Sequence, residues 1–384
     1  MSDEAIQELC NIVFPNSELI SSKSLPSGAS FNNRIYFVKT LSSEREEEWV
    51  LKVNGRFFHG DKVRNEVSCL QILEKCCPDV PVPKVVAWSE DGMRIVSANG
   101  KEEMASGGNS GWILVSKLPG DTLSSVKLEE TETKIVAKEL GDIVASWRLN
   151  IQSQNYSGNV TFHADSKARV NGNLPLLDDG RQLSIEGLLT HGIERTAPIR
   201  TVLEYYTVKL NGYLEKLRTQ AVFAQNRHLI PLLETFIASA LPKLTLFDPQ
   251  SFTDSNKFVF THYDLSPRNI LVSTNPLGIT GIVDFEFSGF FPQLDEFVND
   301  TVGNDGDWME NVYQVYMERL AEKGVVMPKK VGSVWKEVCD LGKLEENVAP
   351  WWLAEGGVVG EKLVSELDAA ASVVKEVMEK LGRT

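Results

Sequence analysis

The sequence is short of basic residues and of long apolar runs, and each shortage excludes a class of protein. Its 39 lysines and arginines face 53 aspartates and glutamates, which gives a net charge of −14. A nucleic-acid-binding domain normally carries a basic face, so we expect no nucleic acid partner. No stretch reaches the roughly 18 consecutive apolar residues that a membrane-spanning helix needs, so we expect no membrane partner either.

Cysteine is also scarce, and its arrangement predicts free thiols. The five cysteines are odd in number, two of them are adjacent, and none forms a C-x-x-C pair. This pattern fits no disulfide framework and indicates reduced thiols in a reducing compartment. The N-terminal residues MSDEAIQEL are acidic and lack the apolar core of a signal peptide, so the sequence favours a cytoplasmic location.

What the chain does contain is enough apolar material for a large core. It has 384 residues, of which 42% are hydrophobic. This length is sufficient for two domains or lobes, with a full core in the larger one.

The strongest pattern lies between Phe260 and Phe287, where short apolar strands alternate with polar loops. Asp264 lies in the loop HYDLSPRN, Asn269 follows five residues later, and Asp284 ends the next apolar run. Phosphoryl transfer needs a carboxylate that takes the proton of the attacking hydroxyl, and oxygen ligands that hold Mg²⁺ near the phosphates. Either aspartate alone would be an ordinary turn residue, but their spacing and flanking strands together predict a site for this chemistry.

These residues resemble the catalytic segment of the kinase superfamily, H-x-D-x-x-x-x-N followed by a second Asp. The match is closer to the aminoglycoside phosphotransferase and choline kinase-like small-molecule kinases, through His262–Leu265 with Asn269 and through Ile282–Glu286. Protein kinases carry Phe-Gly after the second Asp, where this chain has Phe-Glu. The resemblance implies an α+β, two-lobed protein kinase-like fold. We expect an N-lobe of antiparallel sheet plus one helix over 1–117, and a mainly helical C-lobe over 118–384.

A lysine in mid-strand is the main signal in the predicted N-lobe. Lys52 lies in the apolar strand 49–53, on the opposite face from Leu51. The resemblance implies that Lys52 contacts the α- and β-phosphates of a nucleotide, and that Glu66 on the helix predicted at 61–76 holds it. The alternative is a surface lysine with a solvated helix carboxylate.

Further nucleotide contacts rest on the resemblance alone. Gly28, Ser30 and Asn33 fit the family's loose phosphate-binding loop, although a glycine before a strand is often only a turn. The strand after the glycine-rich stretch 97–111 leads into a segment like the family's hinge. There we expect the adenine to bond to the backbone near Ser116 and Leu118.

The region after the second aspartate is strongly acidic and indicates the charge of the acceptor. No lysine or arginine occurs from Asn269 through Glu318. Its carboxylates are Asp284, Glu286, Asp295, Glu296, Asp300, Asp305, Asp307, Glu310 and Glu318. A negative site raises the local concentration of cationic ligands, so we expect a cationic or polar acceptor and name Asp295 and Glu296 as candidate contacts. The alternative is a solvated acidic surface.

The predicted function is transfer of the γ-phosphoryl group of ATP, or of GTP, to a hydroxyl of a small aminoglycoside-like molecule. In this assignment Asp264 takes the proton, while Asn269 and Asp284 hold Mg²⁺. One alternative is a choline, ethanolamine or hydroxy-amino-acid kinase of the same fold. Another is a kinase-like protein that binds a nucleotide or a partner and transfers nothing, which the intact set of site residues disfavours. The pattern identifies neither the acceptor nor an oligomeric state.

Overall fold

The computed structural model describes residues 1–26, 30, 32–55, 59–98, 100–104, 110–162, 174, 182–193, 197–248, 257–298, 308–325, 332–354 and 357–382. Its strands are β1 (Glu18–Ser24), β2 (Asn33–Ser42), β3 (Arg45–Asn54), β4 (Val85–Ser89), β5 (Arg94–Ser97), β6 (Glu102–Met104), β7 (Trp112–Ser116), β8 (Asp121–Thr122), β9 (Gly158–Phe162), β10 (Leu183–Ile185), β11 (Phe258–Thr261), β12 (Ile270–Thr274), β13 (Leu277–Ile282) and β14 (Gly289–Pro292). Its α-helices are α1 (Asp3–Val13), α2 (His59–Cys76), α3 (Glu130–Asn150), α4 (Val202–Thr219), α5 (Ile230–Thr235), α6 (Asp295–Val298), α7 (Glu310–Glu322), α8 (Ser333–Val348), α9 (Trp351–Ala354) and α10 (Gly360–Leu381).

The N-terminal part is a seven-stranded antiparallel sheet in the order β1-β2-β3-β7-β4-β5-β6. Helix α1 covers one face of this sheet, where Ile6 and Leu9 pack with Leu51 and Leu114. Ser2 caps the helix, because its Oγ accepts a hydrogen bond from the backbone N–H of Ala5. Since side chains alternate along a strand, Lys52 points to the other face.

Helix α2 covers that other face and brings a carboxylate under β3. Val63, Val67, Leu70 and Leu73 recur at helical spacing and are all buried. Glu66 lies on the same helix and is also buried. The sheet and α2 together therefore enclose Lys52 and Glu66 in one place.

The C-terminal part is mainly helical and carries two small sheets. β12 pairs with β13 and with β8, and a second sheet has the order β10-β9-β14-β11. The segment that holds Asp264 and Asp284 runs from β11 through a loop into the β12–β13 hairpin, and then through a short 3₁₀ helix, Phe285–Phe287, into β14. Its two aspartates thus follow the ends of β11 and β13.

The predicted α+β, two-lobed architecture is confirmed, with one local correction among the helices. The apolar spacing over 201–223 and 228–244 predicts two amphipathic helices, but both are broken, and α4 ends where Gln220 takes an extended conformation. A 3₁₀ helix at Ala221–Leu229, the short α5 and a π-helical turn at Phe236–Ala240 follow. β7 ends at Ser116 and β8 joins a different sheet, so we keep the proposed lobe boundary between 117 and 118.

Two further expectations concern the state of the cysteines and the presence of membrane-spanning helices. The five cysteines are free thiols, and three of them are buried. Within the described ranges, no helix combines the length and the apolar character that crossing a bilayer requires.

Candidate active site

A buried histidine shapes the loop after β11. The Nδ1 atom of His262 accepts a hydrogen bond from the backbone N–H of Asp264 at 3.3 Å, and its Nε2 lies 3.0 Å from the carbonyl of Val283. Burial lowers the pKa of His262 to about 4, so the ring is neutral, accepting at Nδ1 and donating at Nε2. His262 therefore joins the loop to the end of β13 and is not placed as a proton shuttle.

Asp264 and Asn269 face each other across the same loop. The amide nitrogen of Asn269 donates to the Asp264 carbonyl at 2.8 Å and to its carboxylate Oδ2 at 3.2 Å. Burial and the nearby Asp284 raise the pKa of Asp264 to about 6. A carboxylate with a pKa nearer to neutrality is better suited to take a proton from a hydroxyl. The amide oxygen of Asn269 points away from Asp264 and is the atom that a metal could use.

Three carboxylates surround the amine of Lys52. Its Nζ lies 2.8 Å from Glu66 Oε2 and 2.7 Å from Glu286 Oε2, and it also contacts Asp284 Oδ1. Burial by itself would lower the pKa of Lys52, but Asp284, Glu286 and Glu66 outweigh it and hold the pKa well above its ordinary value. Lys52 is therefore a buried cation that is held by three acids.

The acids themselves have different proton affinities. Burial raises the pKa of Glu66 to about 7 and also raises that of Asp284. Burial acts the same way on Glu286, but Lys52 and Lys62 outweigh it and lower the pKa of Glu286 to about 2. Oxygen atoms of the three carboxylates lie within 4.8 Å of one another. Such a set of hard oxygen donors fits a divalent cation such as Mg²⁺.

The sequence interpretation missed Glu286 and Lys62. Glu286 accepts from Asn33 Nδ2 at 2.7 Å and lies 3.5 Å from Lys62 Nζ, which also donates to Asn33 Oδ1 at 3.0 Å. Lys62 and Glu286 are each only 2% exposed. The sequence did contain a signal for Lys62. It lies four positions before Glu66 and is therefore on the same face of α2.

Asn65 fastens α2 to the catalytic segment. Its side-chain nitrogen donates to the carbonyl of Glu286 at 2.9 Å, and its oxygen accepts from the backbone N–H of Val160 at 2.7 Å. The side chain is 1% exposed. Glu66 therefore takes its place beside Lys52 on a helix that is bonded to both β9 and the segment after Asp284.

The remaining predicted nucleotide contacts are in the loop before β2 and in the segment at the end of β7. Gly28 lies outside the described residues, while Ser30 Oγ accepts from the Asn33 backbone N–H at 3.4 Å. In the hinge, the backbone N–H of Ser116 already donates to the carbonyl of Lys84 at 2.9 Å. The N–H of Leu118 makes no hydrogen bond within the described part of the chain, which leaves it the better placed of the two for an adenine.

Comparison with known proteins places this site within a family. The model of the phosphotransferase enzyme family matches residues 23–298, a span that holds Lys52, Glu66, Asp264, Asn269 and Asp284. The chain belongs to the phosphotransferase enzyme family. A search of curated proteins found no match.

Solved structures that resemble this phosphotransferase-family chain share its fold. The ADP-bound aminoglycoside phosphotransferase APH(2'')-Ib has a TM-score of 0.56 at 13% identity, covering 98% of this chain and 99% of that chain. The gentamicin complex of APH(2'')-IIa has a TM-score of 0.54 at 13% identity, covering 100% and 98%. An ethanolamine kinase from Plasmodium vivax has a TM-score of 0.50 at 11% identity, covering 94% and 82%. At these identities the likeness shows the fold, and the predicted kinase-like fold is confirmed.

The two candidate acceptor contacts of this family member are buried and have internal partners. Asp295 accepts from the hydroxyls of Tyr205 at 2.5 Å and Tyr206 at 3.0 Å. Glu296 accepts from Arg148 at 3.3 Å and from the backbone N–H of His262 at 3.1 Å. Both carboxylates serve the interior, so this geometry does not support the prediction that they contact an acceptor.

The other acidic residues of that stretch are only partly accounted for. Asp300, Asp305 and Asp307 lie outside the described residues. Glu310 and Glu318 lie on α7, where Glu310 is exposed and Glu318 accepts from Gln314 at 2.8 Å.

Proposed function

We propose that the chain is an ATP-dependent phosphotransferase that moves the γ-phosphoryl group to a hydroxyl of a small molecule. The observation that carries the proposal is the convergence of Lys52, Glu66 and the partly exposed Asp284 in one cluster beside the Asp264–Asn269 loop. The relatives support ATP as the donor, since APH(2'')-Ib was solved with ADP and APH(2'')-IIa with streptomycin and ATP, the latter at a TM-score of 0.51.

Asp264 is the group that moves a proton in this reaction. Its carboxylate accepts the proton of the acceptor hydroxyl while that oxygen forms a bond to the γ-phosphorus. The bond between the γ-phosphorus and the bridging oxygen breaks, and ADP leaves with the electron pair. Asn269 keeps the carboxylate oriented through its 3.2 Å hydrogen bond to Oδ2.

Lys52 binds the α- and β-phosphates, and Glu66 holds the amine in place from α2. Because Lys52 already contacts three carboxylates, phosphate oxygens would replace some of those contacts when the nucleotide enters. Asn33 and Lys62 bond the start of β2 to Glu286, which itself contacts Lys52.

The residues present fit a magnesium ion. Asn269 and Asp284 would hold it, with Glu286 as a neighbouring oxygen donor. A bound Mg²⁺ would supply positive charge that offsets the charge developing on the phosphoryl group. The backbone N–H of Leu118, in the segment that follows β7, would bond to the adenine.

We further propose a cationic hydroxyl compound as the acceptor. Gentamicin and streptomycin, which were solved in complex with APH(2'')-IIa, and ethanolamine, after which the Plasmodium vivax kinase is named, are all amines that carry hydroxyl groups. The net charge of −14 favours such compounds electrostatically. An aminoglycoside-like acceptor is the first candidate, and an ethanolamine-type acceptor is the second.

The test combines nucleotide binding with turnover. The full chain is titrated with MgATP by calorimetry, and ADP release is then measured with gentamicin, streptomycin and ethanolamine in turn, with Asp284→Ala as the inactive control. We expect MgATP binding and acceptor-dependent ADP release, with a phosphorylated product detectable by mass. Binding without ADP release for any acceptor would favour the nucleotide-binding alternative. No binding of MgATP would refute the proposal.

A further inference from the structure

Tyr263, the residue directly before Asp264, has a backbone conformation that an aromatic residue rarely adopts. Its φ is 72°, in the left-handed region. Residues other than glycine and asparagine rarely adopt this region, and it persists only where the surroundings over-determine it. The fold must therefore hold Tyr263 by its side chain.

The side chain of Tyr263 is anchored on three sides. Its hydroxyl lies 3.4 Å from the hydroxyl of Tyr205, 3.5 Å from Nε2 of His191 and 3.5 Å from Nζ of Lys209. Its ring centroid lies 4.6 Å from that of Phe291 on β14. Each polar contact is at the long end of the hydrogen-bond range. These contacts and the packing of the ring together hold the Tyr263 side chain, which is only 6% exposed.

The direction of the hydrogen bonds follows from the neighbours. The Tyr205 hydroxyl gives its hydrogen to Asp295 at 2.5 Å, and the Lys209 ammonium can only donate. Tyr263 therefore accepts from Lys209 and donates to Tyr205 or to His191. Burial lowers the pKa of His191 well below its ordinary value, so its Nε2 is free to accept.

Lys209 extends the anchor to the C-terminal helices. Its Nζ lies 2.6 Å from Glu345 Oε2 on α8 and 3.8 Å from Asp295 Oδ2. Lys209 is 3% exposed and is not among the residues proposed to bind the nucleotide or the metal. A continuous chain of contacts therefore runs from α8 through Lys209 on α4 to Tyr263, and ends at Asp264 in the catalytic loop.

We propose that Tyr263 is a positioning residue for Asp264, and that Lys209, Tyr205 and His191 hold it. Their contacts maintain the left-handed turn that presents the Asp264 carboxylate to the reacting hydroxyl. The proposal rests on the role of Asp264 in the proposed function. A misplacement of a reacting group by about 1 Å can reduce a rate on the order of a hundredfold, so a small shift of this turn has a large effect.

The test compares Tyr263→Phe with Tyr213→Phe in the full chain. Tyr213 is the matched control, because it lies on α4 and its ring packs edge-on against the same His191 at 5.6 Å, while its hydroxyl makes no hydrogen bond within the described part of the chain. Measurements are hydrogen exchange of the segment 258–272, MgATP affinity by calorimetry, and kcat for ADP release. The acceptor is the most active of gentamicin, streptomycin and ethanolamine, or water if none is active.

For Tyr263→Phe we expect faster exchange in 258–272 and a kcat lower by about tenfold, with MgATP affinity within about twofold of the parent. Tyr213→Phe should change none of the three. A second variant, Tyr263→Asn, tolerates the left-handed turn but is too short to reach Lys209, so it should lose kcat in the same way.

Unchanged exchange and unchanged kcat in both Tyr263 variants would overturn the proposal. A fall in melting temperature with kcat unchanged would do the same, because it would show that Tyr263 only packs the core. If the parent itself bound no MgATP, the proposed function would fail, and the exchange data would still decide whether Tyr263 holds the loop.

Discussion

Replacing Asp264 with Asn separates proton transfer from nucleotide binding. Asn has the same shape as Asp, and it keeps a side-chain oxygen that can accept the 3.2 Å hydrogen bond from Asn269. The backbone hydrogen bonds to His262 and from Asn269 do not involve the replaced atoms. The loop should therefore retain its geometry, while the atom that accepts the proton is lost.

The expected magnitudes follow from those contacts. MgATP affinity should stay within about threefold of the parent, a difference of roughly 0.7 kcal/mol, because Asp264 is not among the residues that contact Lys52. Turnover should fall by on the order of a hundredfold or more, which corresponds to at least about 2.7 kcal/mol of barrier.

The assay is paired on one preparation of protein. Calorimetry gives the MgATP affinity, and ADP release with the active acceptor gives the turnover. A collapse of affinity together with turnover would mean that Asp264 holds the metal. Survival of both would mean that this segment is not catalytic.

Three further predictions address the ion cluster and the acceptor. Asp284→Ala should weaken MgATP binding by about tenfold or more but leave metal-free ATP binding nearly unchanged, and equal titration curves with MgATP would contradict its metal role. Lys52→Met should lower the free energy of unfolding by about 3–5 kcal/mol, because it removes the cation shared by the buried Glu66 and Glu286 and the partly exposed Asp284, leaving only Lys62 beside Glu286. Added Mg²⁺ should then raise the melting temperature of Lys52→Met more than that of the parent, and an unshifted melt would count against the cluster. The KM of a cationic acceptor should rise with salt, since screening limits the reach of carboxylates to roughly 8 Å at physiological ionic strength, and a salt-independent KM would argue for a solvated surface.

The sequence predicted the parts of the site that depend on strand ends and spacing. Asp264 and Asp284 follow β11 and β13, and the structure brings Lys52 and Glu66 within 2.8 Å of each other. The placement of these residues could be predicted because a strand end fixes where the next side chain lies. Glu286 was not assigned a role, because nothing in its local sequence shows that Lys52, Lys62 and Asn33 converge on it.

Counting charges along the sequence does not show whether an acid has a cationic partner from a distant segment. Asp295 and Glu296 belong to an acidic stretch without a single nearby cation in the sequence. Their partners are Lys209, from α4, and Arg148, from α3, both brought in by tertiary packing. The broken helices over 201–244 have a similar cause, since the apolar spacing of that region does not reveal the extended residue Gln220.

The two bonds of Asn65 determine how much freedom α2 has. Swinging this helix away from the C-terminal part would strip partners from the buried backbone groups of Val160 and Glu286. Each unsatisfied buried group costs about 1–3 kcal/mol, so the swung-out form would lie about 2–6 kcal/mol higher and would make up at most a few per cent of molecules. The resting molecule therefore already holds Glu66 beside Lys52. Under the proposed function, its rate would be set by the supply of nucleotide and acceptor rather than by a mobile regulatory helix.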